Sequence, residues 1–380
     1  MVGVSYSKSF FTFLTPSILK IKFMKMSFIS WKKAFLPALL AGTIFSSCNK
    51  DLPEATPIPP DAVTGSPIAT LLDGPNYTFL KAAVTRAGLM APLSVPTNVF
   101  TVFAPTDAAF QASGIPSVAV INSLPVATLN AIISYHVIGG RRLNAASISE
   151  QYPNMYLQSL LMLQPPSASL PPGYRMPLCI SRRGSNAWAN NIPVTQADIA
   201  AANGVVHNVA RVVMPPDSVL AQIVSADPSY SYLLAALARA DAGPPPGAPR
   251  LIPLLSNPAA NFTVFAPTND AFNTLFAALG VPQNPTSFNL LPSATVWGIV
   301  AFHVQGVRAF SPNLSTGNRP SVMGVNQQFN VSASGVQVRG PGNVVPTPGG
   351  PVNFFANVTV PDKNAINGVI HRIDAVLLPQ

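Results

Sequence analysis

The chain is poor in cysteine, in charge and in glutamate, and it has no apolar run long enough to span a bilayer comfortably. Two cysteines, Cys48 and Cys179, stand among 380 residues, so no dense disulfide framework exists and stability has to come from packing. Charged residues make up only 9%. The glutamates are Glu54 and Glu150 alone, neither close in sequence to another carboxylate suited to paired acid–base work. Phosphate-binding glycine loops and a Gly-x-Ser-x-Gly nucleophile elbow are missing as well. Four histidines in separated apolar settings do not make a zinc site. What is abundant is proline, 41 residues, within a sequence that is 48% apolar. That composition describes a folded, loop-rich protein with a weakly charged surface.

The N-terminus departs from the rest. Residues 1–47 carry six lysines and no acidic residue, and Lys32-Lys33 precede the apolar run Ala34 to Phe45. A positive segment, about a dozen apolar residues and small residues before a cut describe a secretory signal, and the run is short of the ~20 residues of a transmembrane helix. Its ending, Phe45-Ser46-Ser47-Cys48, resembles a bacterial lipoprotein cleavage site, in which Cys48 becomes the lipidated first residue and a membrane anchor. The lysine-broken segment upstream of Met24 or Met26 looks superfluous and suggests an over-extended start. Asn49-Lys50-Asp51 loosely resembles a surface-display signal, so the expected location is the outer membrane and cell surface. From Cys48 onward sixteen basic residues face thirteen acidic ones, and the formal +9 falls to +3. Arg141-Arg142 and Arg182-Arg183 are isolated pairs on what reads as a solvated surface, so nucleic acid is not an expected partner.

The remainder is written twice. TVFAPTDAAF (Thr101–Phe110) and TVFAPTNDAF (Thr263–Phe272) agree at eight of ten positions. Pro75–Leu80 matches Pro228–Leu233, Ala127–Val137 matches Ala294–Val304, and Asn203–His207 matches Asn367–His371. Blocks in the same order with drifting offsets are the mark of a duplicated domain. The expected division is a signal region over 1–47, a lipidated cysteine and tether over 48–65, and domains over 66–216 and 217–380. The decapeptide reads as a strand-to-helix corner. Thr101 and Thr263 open the strand, and Pro105 and Pro267 extend the residue before them. Thr106 and Thr268 suit an N-cap, Asp107 and Asp270 the first turn, and Phe110 and Phe272 the core.

All four histidines fall inside the repeat. Leu129, Ile132, Ile133, His136 and Val137 share one helical face, as do Val296, Ile299, Val300, His303 and Val304. His207 alternates with Val205 and Val209, and His371 with Val369 and Ile373, onto one strand face. Buried, neutral, hydrogen-bonded imidazoles are expected, alongside the alternative of Asp198–His207 and Asp362–His371 as general bases of a hydrolase. In the structural reading each aspartate makes a turn leading into the Asn-Gly strand entry. Cys179 reads as a small buried apolar residue.

Together TVFAPTDAAF and TVFAPTNDAF, YHV and FHV, and NGVVHNVARVVMP and NGVIHRIDAVLLP resemble the fasciclin domain, over nearly everything after Ser66. The resemblance implies an α+β fold in two tandem domains, each a bent wedge of short strands with helices packed along one side. It also implies a non-enzymatic adhesion or matrix-binding role without cofactor, and receptor contact at Tyr135-His136 and Phe302-His303. The expected partners are a cell-surface or matrix protein or a polysaccharide, reached through loops. Tyr152, Tyr156, Tyr174 and Trp188 read first as half-buried packing residues and otherwise as the candidate sugar-stacking aromatics, and a periplasm-facing structural lipoprotein is the alternative.

Overall fold

In a computed structural model of the chain, residues 65–163, 170, 172–345 and 350–380 are described. Cys48 and the signal region lie outside them. The first repeat contributes helices α1 (Ile68–Leu71), α2 (Thr78–Arg86) and α3 (Met90–Ser94), then strand β1 (Phe100–Pro105). Helices α4 (Asp107–Ala112), α5 (Val118–Ser123) and α6 (Val126–Tyr135) follow. Strands β2 (Val137–Gly139), β3 (Met155–Met162), β4 (Arg175–Arg183), β5 (Asn186–Ala189), β6 (Ile192–Ala201) and β7 (Gly204–Val209) complete it. The second repeat runs α7 (Leu220–Ala226), α8 (Ser231–Asp241), α9 (Leu251–Ser256), β8 (Phe262–Pro267), α10 (Asn269–Leu279) and α11 (Ser293–Phe302). Then come β9 (Val304–Gln305), β10 (Gly317–Pro320), β11 (Asn326–Ser332) and β12 (Gly335–Arg339). A small hairpin of β13 (Val344–Val345) and β14 (Val352–Asn353) leads into β15 (Ala356–Ala365) and β16 (Gly368–Ile373). This is an α+β architecture repeated in tandem.

The duplicated decapeptide forms the middle of each sheet. β1 lies between β2, antiparallel, and β7, parallel; β8 lies likewise between β9 and β16. Alternation along the strand feeds two cores. Val102 and Ala104 face the helical layer with Leu80, Phe110 and Ile132, whereas Phe103 faces the interior of the rolled sheet with Tyr135, Leu178 and Ile180. Val264 and Ala266 against Phe265 repeat that division. A strand with both faces covered reads as a nearly continuous apolar run, and Phe100–Pro105 is buried at every position, its one polar side chain, Thr101, being hydrogen-bonded.

Thr106 and Thr268 cap the helices that follow, each accepting from the backbone N–H three residues on at 3.3 Å. The aspartate expectation divides between the copies. Asp107 accepts from the N–H of Phe79 at 2.8 Å and so ties α4 to α2. In the second copy that role passes to Asn269, which accepts from the N–H of Tyr232, and Asp270 sits exposed in the first turn of α10.

The glycine of the Asn-Gly pair is needed for close approach. A Cβ on Gly204 would lie 2.1 Å from the Phe100 carbonyl oxygen, and one on Gly368 would lie 2.2 Å from that of Phe262. These carbonyls belong to the neighbouring parallel strand and cannot move without breaking the ladder. Gly368→Ala is therefore expected to cost on the order of 3 kcal/mol in denaturant unfolding. Gly298→Ala in α11, whose nearest neighbour is the flexible tip of Met323 at 3.7 Å, is expected to be neutral or mildly stabilising.

Candidate functional site

The histidines occupy two repeating positions, and at each the ring is sealed. Helix α6 ends at Tyr135, so His136 is its cap and the helical face stops there. Its Nδ1 lies 2.7 Å from the Ile132 carbonyl, and its Nε2 accepts from the N–H of Val213 at 2.9 Å. His303 repeats this with the Ile299 carbonyl and the N–H of Leu377. Each ring thus takes up one of the unpaired carbonyls at a helix end and fixes the final segment of its domain. At the other position, His207 Nε2 lies 2.7 Å from the Leu143 carbonyl and Nδ1 accepts from the N–H of Asp198 at 3.2 Å. His371 makes the same pair with Ala309 and Asp362. A carbonyl only accepts and an N–H only donates, so the partners fix the tautomer: Nδ1–H at His136 and His303, Nε2–H at His207 and His371. Phe103 and Phe265 stack on the second pair of rings at centroid distances of 5.4 and 5.3 Å.

No ring keeps a lone pair for a substrate proton. The aspartates of the Asp–His pairs meet their histidines mainly through the backbone. Asp362 Oδ1 is 3.8 Å from His371 Nδ1, but the carboxylate is taken up by the N–H and hydroxyl of Ser311. Asp198 likewise accepts from the N–H of Ala145. The expectation of a turn before the Asn-Gly entry needs correction. Asp198 and Asp362 lie within β6 and β15, at left-handed φ of 61° and 67°, where the register of pairing shifts. They are bulge residues, which aim a backbone N–H inward at the ring. The Asp–His arrangement is thus a structural clamp.

Other polar groups of the motif are engaged in the same way. Thr101 Oγ1 donates to the Arg141 carbonyl and accepts from the N–H of Leu143; Thr263 does the same with Val307 and Ala309. Asn203 and Asn367, fully buried, accept from Ile68 and Leu220 and donate to the carbonyls of Leu93 and Val95, or of Leu255 and Asn257. Their place in the Asn-Gly pair was the only signal of them in the sequence. Pro105 and Pro267 end the central strands, and Phe110 and Phe272 are buried behind them.

One surface expectation is corrected, and two other readings hold. Tyr135 and Phe302 are buried with their histidines, so receptor contact at those positions is not available at the surface. Tyr156 packs beside Cys179, Phe310 and Val369, and Tyr152 against the core of the second repeat, so neither presents an open stacking face. Tyr174 and Trp188 are half-buried. The arginine pairs lie at the surface, with Arg141, Arg142 and Arg183 exposed; Arg142 donates to the Ala201 and Ala202 carbonyls, Arg182 pairs with the Ile148 carbonyl and Glu150, and Arg183 donates to carbonyls of the second repeat. Among the described residues, no group of three or more His, Cys, Asp or Glu could hold a metal ion. Clefts of about 610 Å³ beside α2 and about 470 Å³ between α7 and the β15–β16 pair are lined by no histidine.

A duplicated α+β domain whose repeated polar residues serve its own backbone defines a scaffold class. The fasciclin domain model matches residues 75–215 and again 248–379. The chain belongs to the fasciclin domain family, as a tandem pair. Over 162 residues, 41% of the chain, it is 35% identical to transforming growth factor-beta-induced protein ig-h3 of Sus scrofa, spanning 21% of that protein's length. Protein sll1483 of Synechocystis sp. is 30% identical over 162 residues, 42% of this chain and 73% of that one. A solved FAS1 domain pair from the insect cell adhesion molecule fasciclin I covers 79% of this chain and 95% of its own, at 19% identity and a TM-score of 0.35. Fasciclin domains are associated with cell adhesion and surface binding, and the family is a non-enzymatic one.

Burial holds His136 and His303 down at about 4, and lowers His207 and His371 against the opposing pull of Asp198 and Asp362. A folded value below the unfolded ~6.5 means that stability is full above about pH 6.5 and is lost as pH falls towards about 4. His136 and His303 each carry about 3 kcal/mol of this dependence. Denaturant midpoints should drop between pH 7 and 4.5, and His303→Gln should be less stable at pH 7 with a shallower drop. Midpoints flat over that range contradict it.

Proposed function

We propose that the protein is a non-enzymatic binding protein of the cell surface, anchored through a lipidated Cys48 and contacting matrix, polysaccharide or neighbouring surface proteins through its loops. The observation that carries this is the saturation of all four histidines. Both nitrogens of each ring bond to backbone, which leaves the repeated motif no free imidazole and supports its reading as a scaffold. Recognition then falls to the segments that differ between the copies, since loops on a rigid scaffold carry contacts. Those loops are proline-rich, as in GPPPGAPRLIP from Gly243, and stiff loops lose less entropy on binding. The small-small-Cys ending at Cys48 supports the anchor, and Asn49-Lys50-Asp51 supports display on the outer face.

Protease shaving of intact cells, beside a Cys48→Ala variant and with immunodetection of the second domain, tests the reading. The expected result is external cleavage of the wild type, sedimentation with membranes, and release of Cys48→Ala into the soluble fraction. Protection in intact cells, with digestion only after envelope rupture, contradicts surface display and favours a periplasm-facing structural lipoprotein.

A further inference from the structure

The two repeats differ at one seam of their sheets. In the first, β2 pairs with β3 through Ile138 and Ser159, and the seven strands close into a barrel. In the second, no ladder joins β9 to β10 among the described residues, and the sheet ends on those two strands. A single backbone bond, from the N–H of Val322 just past β10 to the Val304 carbonyl at 2.8 Å, crosses the opening, and side chains bridge the rest. Gln305 donates to Gln327 at 2.8 Å, and Gln327 donates to the Phe302 carbonyl at 2.5 Å; both glutamines are buried.

The ring that covers this opening comes from the other repeat. The Tyr152 hydroxyl donates to Gln305 Oε1 at 3.0 Å. The guanidinium of Arg319, on β10, lies 3.8 Å from the Tyr152 ring centroid. The ring itself packs against the cluster that holds Phe265, Phe302 and Phe329. We propose that the open seam of the second repeat is a socket for a phenol ring, and that Tyr152 plugs it in cis and joins the two repeats into one cooperative unit.

Each part of the socket answers one part of a phenol. Gln305, held by Gln327, turns its oxygen to the hydroxyl, the Arg319 cation meets the electron-rich face, and apolar side chains receive the edge. Burial raises the Tyr152 hydroxyl to about 12, partly offset by Arg319, so it remains a donor at physiological pH. The surrounding contacts make the plug part of a wider seal. Along β4, Leu178 and Ile180 fill the first barrel, whereas Cys179 belongs to the opposite face and is buried with Phe310 and Val369 of the second repeat. Beside it, Arg183 donates to the Pro312 and Leu314 carbonyls at 2.9 and 2.6 Å. Cys179 is therefore a built-in reporter of separation between the repeats.

The test uses the full chain in detergent, with maleimide labelling of Cys179 followed by mass spectrometry of its peptide, and calorimetry in parallel. Wild type should melt in one transition and label slowly. Tyr152→Ala should label at least tenfold faster and melt in two steps. Millimolar 4-methylphenol should slow labelling of Tyr152→Ala back towards the wild-type rate, without effect on wild type or on a Tyr152→Ala, Gln305→Leu double variant. A wild-type rate for Tyr152→Ala, or equal protection of the double variant, overturns the proposal. Should Tyr152→Ala not fold, Tyr152→Phe decides: loss of the hydroxyl alone should speed labelling several-fold, and an unchanged rate overturns it.

Discussion

An imidazole buried in an apolar core with both nitrogens bonded to backbone is the interaction on which each domain depends. Such a ring is costly if either nitrogen loses its partner, because a buried polar group left unpaired forfeits its hydration without return. Each ring also joins segments that are remote in sequence. His136 ties the end of α6 to the N–H of Val213, and His207 ties β7 to the Leu143 carbonyl and to the bulge at Asp198. Two rings per domain hold the helix end, the rolled sheet and the terminal segment in one arrangement. The central strand, packed on both faces, can then stay apolar but for one threonine. Thr101 and Asn203, with their counterparts Thr263 and Asn367, extend the same device to the loops on either side.

This use of polar residues has a functional consequence. The buried histidines, threonines and asparagines shared by the two copies are spent on the backbone, so that part of the repeated spelling describes a support. The copies diverge in loops and in the sheet seam. The first closes its barrel on itself, and the second leaves an edge that the first repeat covers. Rigid coupling of two domains fixes the spacing of whatever surfaces they present, and two contacts at fixed spacing gain avidity only when a partner matches that spacing.

Much of this was legible in the sequence because it is local. The threonine caps follow from a strand, a proline and a helix-forming run in a fixed order. The inward direction of the histidines follows from a period of 3.6 in one segment and of 2 in the other. What was not legible depends on partners far along the chain. Whether Asp270 or Asn269 ties α10 to α8 is settled by where the N–H of Tyr232 lies. The bulges at Asp198 and Asp362 are defined by the opposing strand, and nothing in their own neighbours marks them. Tyr152 and Tyr156 read as half-buried packing residues, but nothing beside them says that the repeat they pack against is the second, and Cys179 looks like an interior residue of one domain although it is covered by the other.

The central claim, that all four histidines are neutral clamps with tautomers set by their partners, is tested most directly by nitrogen-15 NMR of the imidazole rings in the folded chain at pH 6. The account predicts four uncharged rings, with the proton on Nδ1 at His136 and His303 and on Nε2 at His207 and His371. A doubly protonated ring at that pH, or the reverse tautomer at any of the four, would contradict it.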